Sequence, residues 1–525
     1  MLALSFPKYG HPACAWIALA PLIVAVARSA KPSVRRAFVL GLVSGGVYFW
    51  GTLYWLVETM TTFGGLATPL AAFAALVLVA YLSLFPATFA AVLARLRAHL
   101  GPPAILLAPL IWTATELGRQ YVWDGFPWTL LGYSQVTVLP IAQMASLVGV
   151  YGLSMLLALV ASAAAYAVLA SPRARRADGA AGPTADRASV RRWVPLIAAL
   201  ALVAACGLWG AARLRASSLT TQGEAVRVAV LQANIAQEDK WDPALVDPIT
   251  DRYLAMTRRA IAEGATFILW PESATPFFLE QDIVRGESIR ALARQARATL
   301  LIGSDQVEPV MTAARDVKPV SRYYNAAFLI QPDGRTGAVY RKMHLVPFGE
   351  YVPLKTLLFF VGPIVEAVSD FSPGTEATLL PVGTHKVSTA ICYEVIYASL
   401  MRGFVVEGSE LLTTITNDAW YGRSSAAYQH WDQAALRAIE GGRYLARAAN
   451  TGISGFVDPY GRVLQKSDLF EQRILVEDLR FITARTVYSR IGDAVAWLSL
   501  AITVLGLLTT RRGKIVSRPA PTAQL

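Results

Sequence analysis

The sequence predicts a layered α/β domain carried on a multi-helix transmembrane domain. Three observations predict it. Of 525 residues, 54% are hydrophobic and only 16% are charged, a balance that suits a membrane protein with a sizeable part outside the bilayer. Long apolar runs fill residues 13–213 and recur near 492–510. Between them the chain changes character. Over 225–490, short apolar runs ending in polar residues alternate with helical stretches, as strands and helices do in an α/β fold.

In order along the chain, the apolar runs give spans near 14–28, 37–57, 68–94, 103–118, 138–170 and 194–213, and a last one near 492–510. A hydrocarbon core needs about 20 helical residues, so the shorter runs have soft boundaries. Basic residues gather in alternate loops: Arg28, Lys31, Arg35 and Arg36 after the first span, Arg95 and Arg97 after the third, Arg173, Arg175, Arg176, Arg187, Arg191 and Arg192 after the fifth, and Arg511, Arg512 and Lys514 after the last. The intervening loops are poorer in them, and "TFGG" at 62–65 has none. By the positive-inside rule the basic loops are cytoplasmic. The parity of the spans then places the α/β part on the opposite side. The expected organisation is a transmembrane helical domain over 1–213, an extracytoplasmic catalytic domain over 214–490, a C-terminal transmembrane helix over 491–511 and a cytoplasmic tail over 512–525. The net charge of +12 follows this loop pattern. There is no basic stripe with interleaved stacking aromatics, which argues against nucleic acid as a partner.

Within 225–490, "VRVAVLQANI" (226–235), "ATFILWPES" (265–273), "TLLIGSDQ" (299–306), "HKVSTAICYEV" (385–395) and "LLTTITNDAW" (411–420) read as strands, with helices near 247–263 and 285–297. "QPDGR" (331–335) and "DPYGR" (458–462) are turn signals. Polar residues gathered at strand ends are where α/β folds place chemistry.

Three of those residues form a chemical unit. Cys392 ends the run "STAIC", Glu272 lies in "LWPESATPF", and Lys342 lies in "YRKMHLVPFGEYVP". Taken singly, each has a plain structural reading: an inert buried thiol, a solvated carboxylate, a surface charge. Taken together they suit acyl transfer. A carboxylate can act as base for a thiol, and an ammonium favours the thiolate and the oxyanion formed on attack. The other cysteines, Cys14 and Cys206, sit in apolar stretches, and an odd count argues against a disulfide framework. The five histidines are scattered, with no H-E-x-x-H or paired C-x-x-C, so no metal site is expected.

"WPESATPF", "RKMHLVPFGEYVP" and "AICYEVIY", in this order, resemble the three catalytic motifs of the nitrilase, or carbon–nitrogen hydrolase, superfamily. With the membrane spans, "FGG", "GFPWTLLGYSQ" (125–135), "EDKWDP" (238–243), "TNDAWYG" (416–422) and "NTGISG" (450–455), nearly the whole chain is similar to the bacterial apolipoprotein N-acyltransferase family. That resemblance implies a nitrilase-like αββα sandwich outside the inner membrane, on the periplasmic side. It implies transfer of an acyl chain from a phospholipid to the α-amine of an S-diacylglyceryl-cysteine at an apolipoprotein's N-terminus, with membrane lipids as surroundings and no dissociable cofactor. Carried over residue by residue, Glu272 is the general base, Lys342 the oxyanion-stabilising residue and Cys392 the nucleophile. Glu350 matches a further acidic residue near the site, and Trp241, Tyr393 and Glu394 match supporting positions. One departure is expected: the family has a helix ahead of the segment matching "LALSFPKYGHPA" (2–13), and Met1 falls almost on that segment, giving seven spans for the family's eight.

"LKTLLFFVGPIV" (354–365) is strongly apolar inside the soluble part and too short to span a bilayer. It reads either as a core helix or, from its place after the Lys342–Glu350 loop, as an arm admitting acyl chains. "FGGLATP" (63–69) and "GFPWTLLGY" (125–133) are candidates for a lipid-facing floor. Two rival functions share parts of this pattern: a membrane-tethered amidase of the same superfamily, and a transporter with an outer binding module. The few intramembrane charges, such as Glu58 and Glu116 near span ends, speak against the transporter.

Overall fold

The computed structural model describes residues 1–28, 33–170, 191–310, 320–347, 349–351 and 371–512. The first part of the chain is helical: α1 (Ala20–Ala27), α2 (Val34–Leu53), α3 (Trp55–Thr62), α4 (Thr68–Leu100), α5 (Ala108–Tyr121), α6 (Ala145–Leu169) and α7 (Val194–Ala216). Among the described residues, four helices are long and apolar enough to cross a membrane, namely α2, α4, α6 and α7 with its extension to Thr221. Pro12–Ala27 and Ala494–Thr510 are shorter apolar helices. The apolar run at 138–170 is not one straight helix. A short turn at Leu139–Ala142 precedes α6, and α6 itself bends at Gly149, whose φ of +65° suits glycine and where a Cβ would lie 2.4 Å from the Tyr488 ring.

The helix ends fall into two sets. Arg95, near the C-terminus of α4, donates from Nε to Thr510 Oγ1 at 3.2 Å, at the end of the last helix (Ala494–Arg512). The opposite ends meet the α/β part: Thr59 Oγ1 donates to Trp420 O (2.8 Å), Gln120 Nε2 to Ser399 Oγ (3.0 Å) and Gln143 Nε2 to Tyr460 O (2.8 Å). α4 has 33 residues. At 1.5 Å per residue, its Arg95 end lies roughly 40–50 Å along the helix from its start.

The α/β part holds two six-stranded sheets. The first is built from β1 (Ala225–Gln232), β2 (Phe267–Leu269), β3 (Thr299–Val310), β4 (Val320–Ile330), β5 (Thr336–Arg341) and β12 (Arg473–Arg480), in the order β12-β1-β2-β3-β4-β5. The second takes β6 (Leu380–Val382), β7 (His385–Ile391), β8 (Leu411–Thr416), β9 (Leu445–Ala449), β10 (Gly455–Val457) and β11 (Val463–Lys466), in the order β11-β10-β9-β8-β7-β6. β1–β3 and β7–β9 run parallel, joined by crossovers. "QPDGR" turns β4 into β5, and "DPYGR" turns β10 into β11.

Strand alternation makes the layers. In β1, Ala229 and Leu231 join a core with Ile249, Tyr253 and Met256 of α8 (Val246–Ala262) and Ile289 and Leu292 of α9 (Ile283–Ala296). Val228 and Val230 point the other way, into a core shared with Leu412, Ile415 and Leu445 of the second sheet. That core continues to Met401 and Phe404 of α10 (Ala398–Val406) and to Ala434 and Leu436 of α11 (Ala426–Gly441). The result is a four-layer α/β/β/α sandwich. Its second helical layer is pressed against the membrane helices: Glu440 of α11 accepts the N–H of Val150 at 2.9 Å, just past the Gly149 bend.

Candidate active site

The parallel strands end on one side, and the polar residues that follow them converge there. Glu272 lies three residues past β2, Lys342 directly follows β5, Asn417 directly follows β8, and Cys392 opens a short 3-10 helix, Cys392–Ile396, at the end of β7. Gly303 on β3 makes room for the Glu272 bend, since a Cβ there would fall 2.2 Å from Pro271 O.

Glu272 is buried and fully engaged. Its Oε1 accepts Asn325 Nδ2 at 2.7 Å and Lys342 Nζ at 3.4 Å, and its Oε2 accepts the N–H of Asn417 at 2.8 Å. Burial alone would raise its pKa, but Lys342, Asn325, Lys240 and the Asn417 N–H together hold it below the ordinary value. Lys342, 1% exposed, also donates to Glu350 Oε1 at 2.9 Å. Burial would strip its proton, but Glu350 and Glu272 overcome that and raise its pKa. Glu350 is completed by Asn325 Nδ2 at 2.8 Å and the Val346 N–H at 2.8 Å. The charges of Glu272 and Lys342 both act on Cys392: burial pushes the thiol well up, Glu272 adds to this, and Lys342 offsets part of it. Burial thus favours the protonated form of the Cys392 thiol, while the Glu272 carboxylate is held toward its charged form.

The supporting positions fall in different places. Glu394 is fully buried and accepts four donors: the N–H groups of Met343 (2.7 Å), His344 (3.1 Å) and Ile391 (2.8 Å) and the Tyr340 hydroxyl (2.8 Å). Burial pushes its pKa up to about 7 against those donors. Tyr393 packs toward the helical part; its hydroxyl donates to Gly125 O at 3.4 Å, and its ring lies 6.2 Å from that of Phe126. Trp241 is half exposed on the turn that carries Lys240. The 354–365 segment lies outside the described residues.

The loop at 125–133 packs against the Cys392–Ile396 helix and α11. Trp128 stacks on His430 at 5.5 Å and donates from Nε1 to Gln429 Oε1 at 2.7 Å. Phe63 of the "FGG" stretch meets Trp420 edge-on at 5.4 Å.

Several site residues were not singled out from sequence. Asn325 bridges the two carboxylates from the middle of β4, where nothing local marks it. Asn417 and Asp418 stand in "TNDAWYG", and polar residues ending a strand were a usable signal. His430, on α11, points Nε2 at the carbonyl of Cys392 at 3.1 Å, while its Nδ1 lies 3.0 Å from Asp418 Oδ1; Asp418 is held by Arg447 Nη2 at 2.8 Å. Lys240 Nζ donates to the main-chain carbonyl of Glu272 at 3.2 Å.

Residues 1–163 match the apolipoprotein N-acyltransferase N-terminal domain family, and residues 227–488 match the carbon-nitrogen hydrolase family. An apolipoprotein N-acyltransferase from Geobacter metallireducens is 38% identical over 517 residues, covering 98% of this chain and 94% of its own. The chain belongs to the apolipoprotein N-acyltransferase family. Relatives of that name from Bradyrhizobium diazoefficiens (36% identity, 84% of this chain and 79% of its own) and Methylococcus capsulatus (33%, 98% and 95%) are similar over most of their length. Among solved structures, an amidase of the nitrilase superfamily from Nesterenkonia AN1 aligns over 52% of this chain and 96% of its own at 21% identity and a TM-score of 0.38. The family fits both parts of the molecule, an acyltransferase with a nitrilase-like α/β domain on a helical one.

Proposed function

We propose that the chain N-acylates apolipoproteins: it moves an acyl chain from a phospholipid to the α-amine of an N-terminal S-diacylglyceryl-cysteine, through a thioester on Cys392. The observation that carries this reading is the convergence of Glu272, Lys342 and Cys392 directly beneath a loop of the helical part. Glu272 takes the thiol proton as Sγ attacks the ester carbonyl. The Lys342 ammonium stabilises the oxyanion. The C–O bond breaks, and the lysophospholipid leaves with the proton from Glu272. The acceptor amine then attacks the thioester, Glu272 takes its proton, the C–S bond breaks, and the amide leaves as the thiol is restored. Thioester to amide runs downhill, so the second half-reaction depends chiefly on positioning.

The protein acts as a multi-pass protein of the bacterial inner membrane with its α/β domain in the periplasm. The separation of the Arg95 end of α4 from the helix ends that touch the α/β domain supports this orientation. Domain limits of 1–213, 214–490 and 491–511 follow from it.

The test separates the half-reactions. With phospholipid and no acceptor, the enzyme gains the mass of one acyl group on the peptide holding Cys392, and neutral hydroxylamine releases it. A diacylated lipopeptide with a free α-amine discharges the label, and an acetylated one does not. Turnover by Cys392→Ala, or label on Cys14 or Cys206, overturns the reading.

A further inference from the structure

We infer that Lys240 is a second cationic residue of the pocket around Cys392, whose charge offsets part of the carboxylate excess around Glu272 and so makes the Cys392 thiolate attainable. The inference rests on Cys392 being the residue that is acylated.

The starting point is a count of charge. The single ammonium of Lys342 is shared between Glu350 (2.9 Å) and Glu272 (3.4 Å). Asn325 donates to the same two oxygens but adds no charge. Two carboxylates and one ammonium leave an excess negative charge in a pocket almost closed to solvent. Removing the thiol proton would add another negative charge there, and a like charge in a weakly polarisable surrounding opposes ionisation. Asp305 deepens the excess. It stands opposite Asn325 in the β3–β4 register, accepts the Ser273 hydroxyl at 2.9 Å, and interacts with Glu272 and Glu350. Asp418, the other acid acting on the thiol, is matched by Arg447 at 2.8 Å and leaves the count unchanged.

Lys240 supplies a second positive charge and offsets part of this excess. It is 5% exposed, on the turn between β1 and α8; burial lowers its pKa from the ordinary lysine value, while Glu272, Asp305 and Cys392 act to keep the ammonium charged. Among the described residues, its Nζ has one hydrogen bond, to the carbonyl of Glu272, and no carboxylate within ion-pair distance. An ammonium carries three donors. Lys342 is committed to two acids, whereas Lys240 serves the pocket as a whole. Its bond to the Glu272 carbonyl also braces the bend at Ser273, whose φ is +41°.

The test uses the full-length enzyme and a neutral alkylating reagent, iodoacetamide, with modification of Cys392 followed by mass spectrometry across pH. Lys240→Gln removes the charge but keeps a polar N–H donor; Lys240→Arg keeps the charge. In Lys240→Gln the line of log rate against pH is expected to move to higher pH by about one unit or more, and phospholipid-dependent loading of Cys392 at neutral pH to slow about tenfold or more. Lys240→Arg should stay near wild type on the alkylation line. An unmoved line in Lys240→Gln, whatever its activity, overturns the inference and leaves Lys240 as a tether. If Lys240→Gln does not accumulate, Lys240→Arg decides alone: a line near wild type supports the charge role, and a displaced one overturns it. Failure of wild type to load from phospholipid, with the Lys240→Gln line displaced, would remove the substrate reading and leave the charge role standing.

Discussion

The carboxylate of Glu394 accepts the main-chain N–H of Met343 at 2.7 Å while its other oxygen accepts that of Ile391 at 2.8 Å. Met343 follows Lys342, and Ile391 precedes Cys392. One buried side chain thus fixes the spacing between the ammonium and the thiol. Glu394→Gln puts an NH2 group against N–H donors, leaving at least one of them unpaired, which costs about 1–3 kcal/mol. Thermal unfolding is expected to fall accordingly, and single-turnover acylation to fall further because the two loops separate. Wild-type values for both would show that the spacing does not depend on this carboxylate.

Lys342→Met is expected to leave a folded, inserted protein that loads acyl groups very slowly. On the proposed mechanism the lysine acts on both the thiolate and the oxyanion, and loss of one such donor costs about 2–4 kcal/mol in the transition state. Loading rates of purified variant and wild type compare this directly. Wild-type loading would take Lys342 out of the mechanism.

Much of this site could be read from the chain because its chemistry sits at strand ends. Glu272 and Cys392 each follow an apolar run, and the strand-to-polar switch is a local signal, whereas Lys342 follows Arg341 and stood out only by its motif. Of the seven apolar runs, those at 37–57, 68–94, 138–170 and 194–213 hold helices long and apolar enough to cross a membrane, while 14–28 and 492–510 hold shorter ones. Asn325 was not legible, because its role arises only when β4 lies antiparallel to β3 with Asn325 opposite Asp305. His430 reaches Cys392 from a helix 38 residues further on, a contact set by packing and by no spacing rule. The bend at Gly149 was hidden because an apolar run does not reveal where Glu440 will capture a main-chain N–H.

His385 predicts a pH-dependent stability. Its Nδ1 lies 2.7 Å from Glu410 Oε2, its Nε2 lies 3.1 Å from Glu224 Oε2, and its ring stacks on Phe481 at 4.0 Å. Only the imidazolium donates to both acids. Partial burial alone would lower its pKa, but the hydrogen bonds and charges of Glu410 and Glu224 raise it above 6.5. The stabilisation is therefore fully present below the unfolded pKa of 6.5 and is lost as pH rises through the folded one. Glu224 is well exposed, so the effect is about 1 kcal/mol or less. Thermal unfolding should show wild type losing more stability than His385→Gln as pH rises from 6.5 through the raised folded pKa. Parallel losses would mean that the pair contributes nothing.

His430 predicts how the nucleophile is held. Cys392 has a φ of +51°, in the left-handed region, which costs a residue with a Cβ about 1 kcal/mol or more. The chain stays there because both flanks are tied: Ile391 by Glu394, and the carbonyl of Cys392 by His430 Nε2 at 3.1 Å. A carbonyl only accepts, so Nε2 carries the proton. Burial and the neighbouring Arg447 hold the imidazole pKa below its ordinary value, against the pull of Asp418. His430→Ala removes the side-chain donor from that buried carbonyl, at a cost of about 0.5–1.5 kcal/mol, and frees Cys392 to relax toward ordinary backbone geometry. On the proposed mechanism the thiol is then displaced, so kcat should fall more than KM rises. A glutamine amide nitrogen can occupy the place of Nε2, whereas that of asparagine corresponds to Nδ1. His430→Gln should therefore recover much of the single-turnover acylation that His430→Ala and His430→Asn lose. Equal loss in all three variants would assign His430 to packing beneath Trp128, and wild-type loading in His430→Ala would show that the strained cysteine holds its place without this bond.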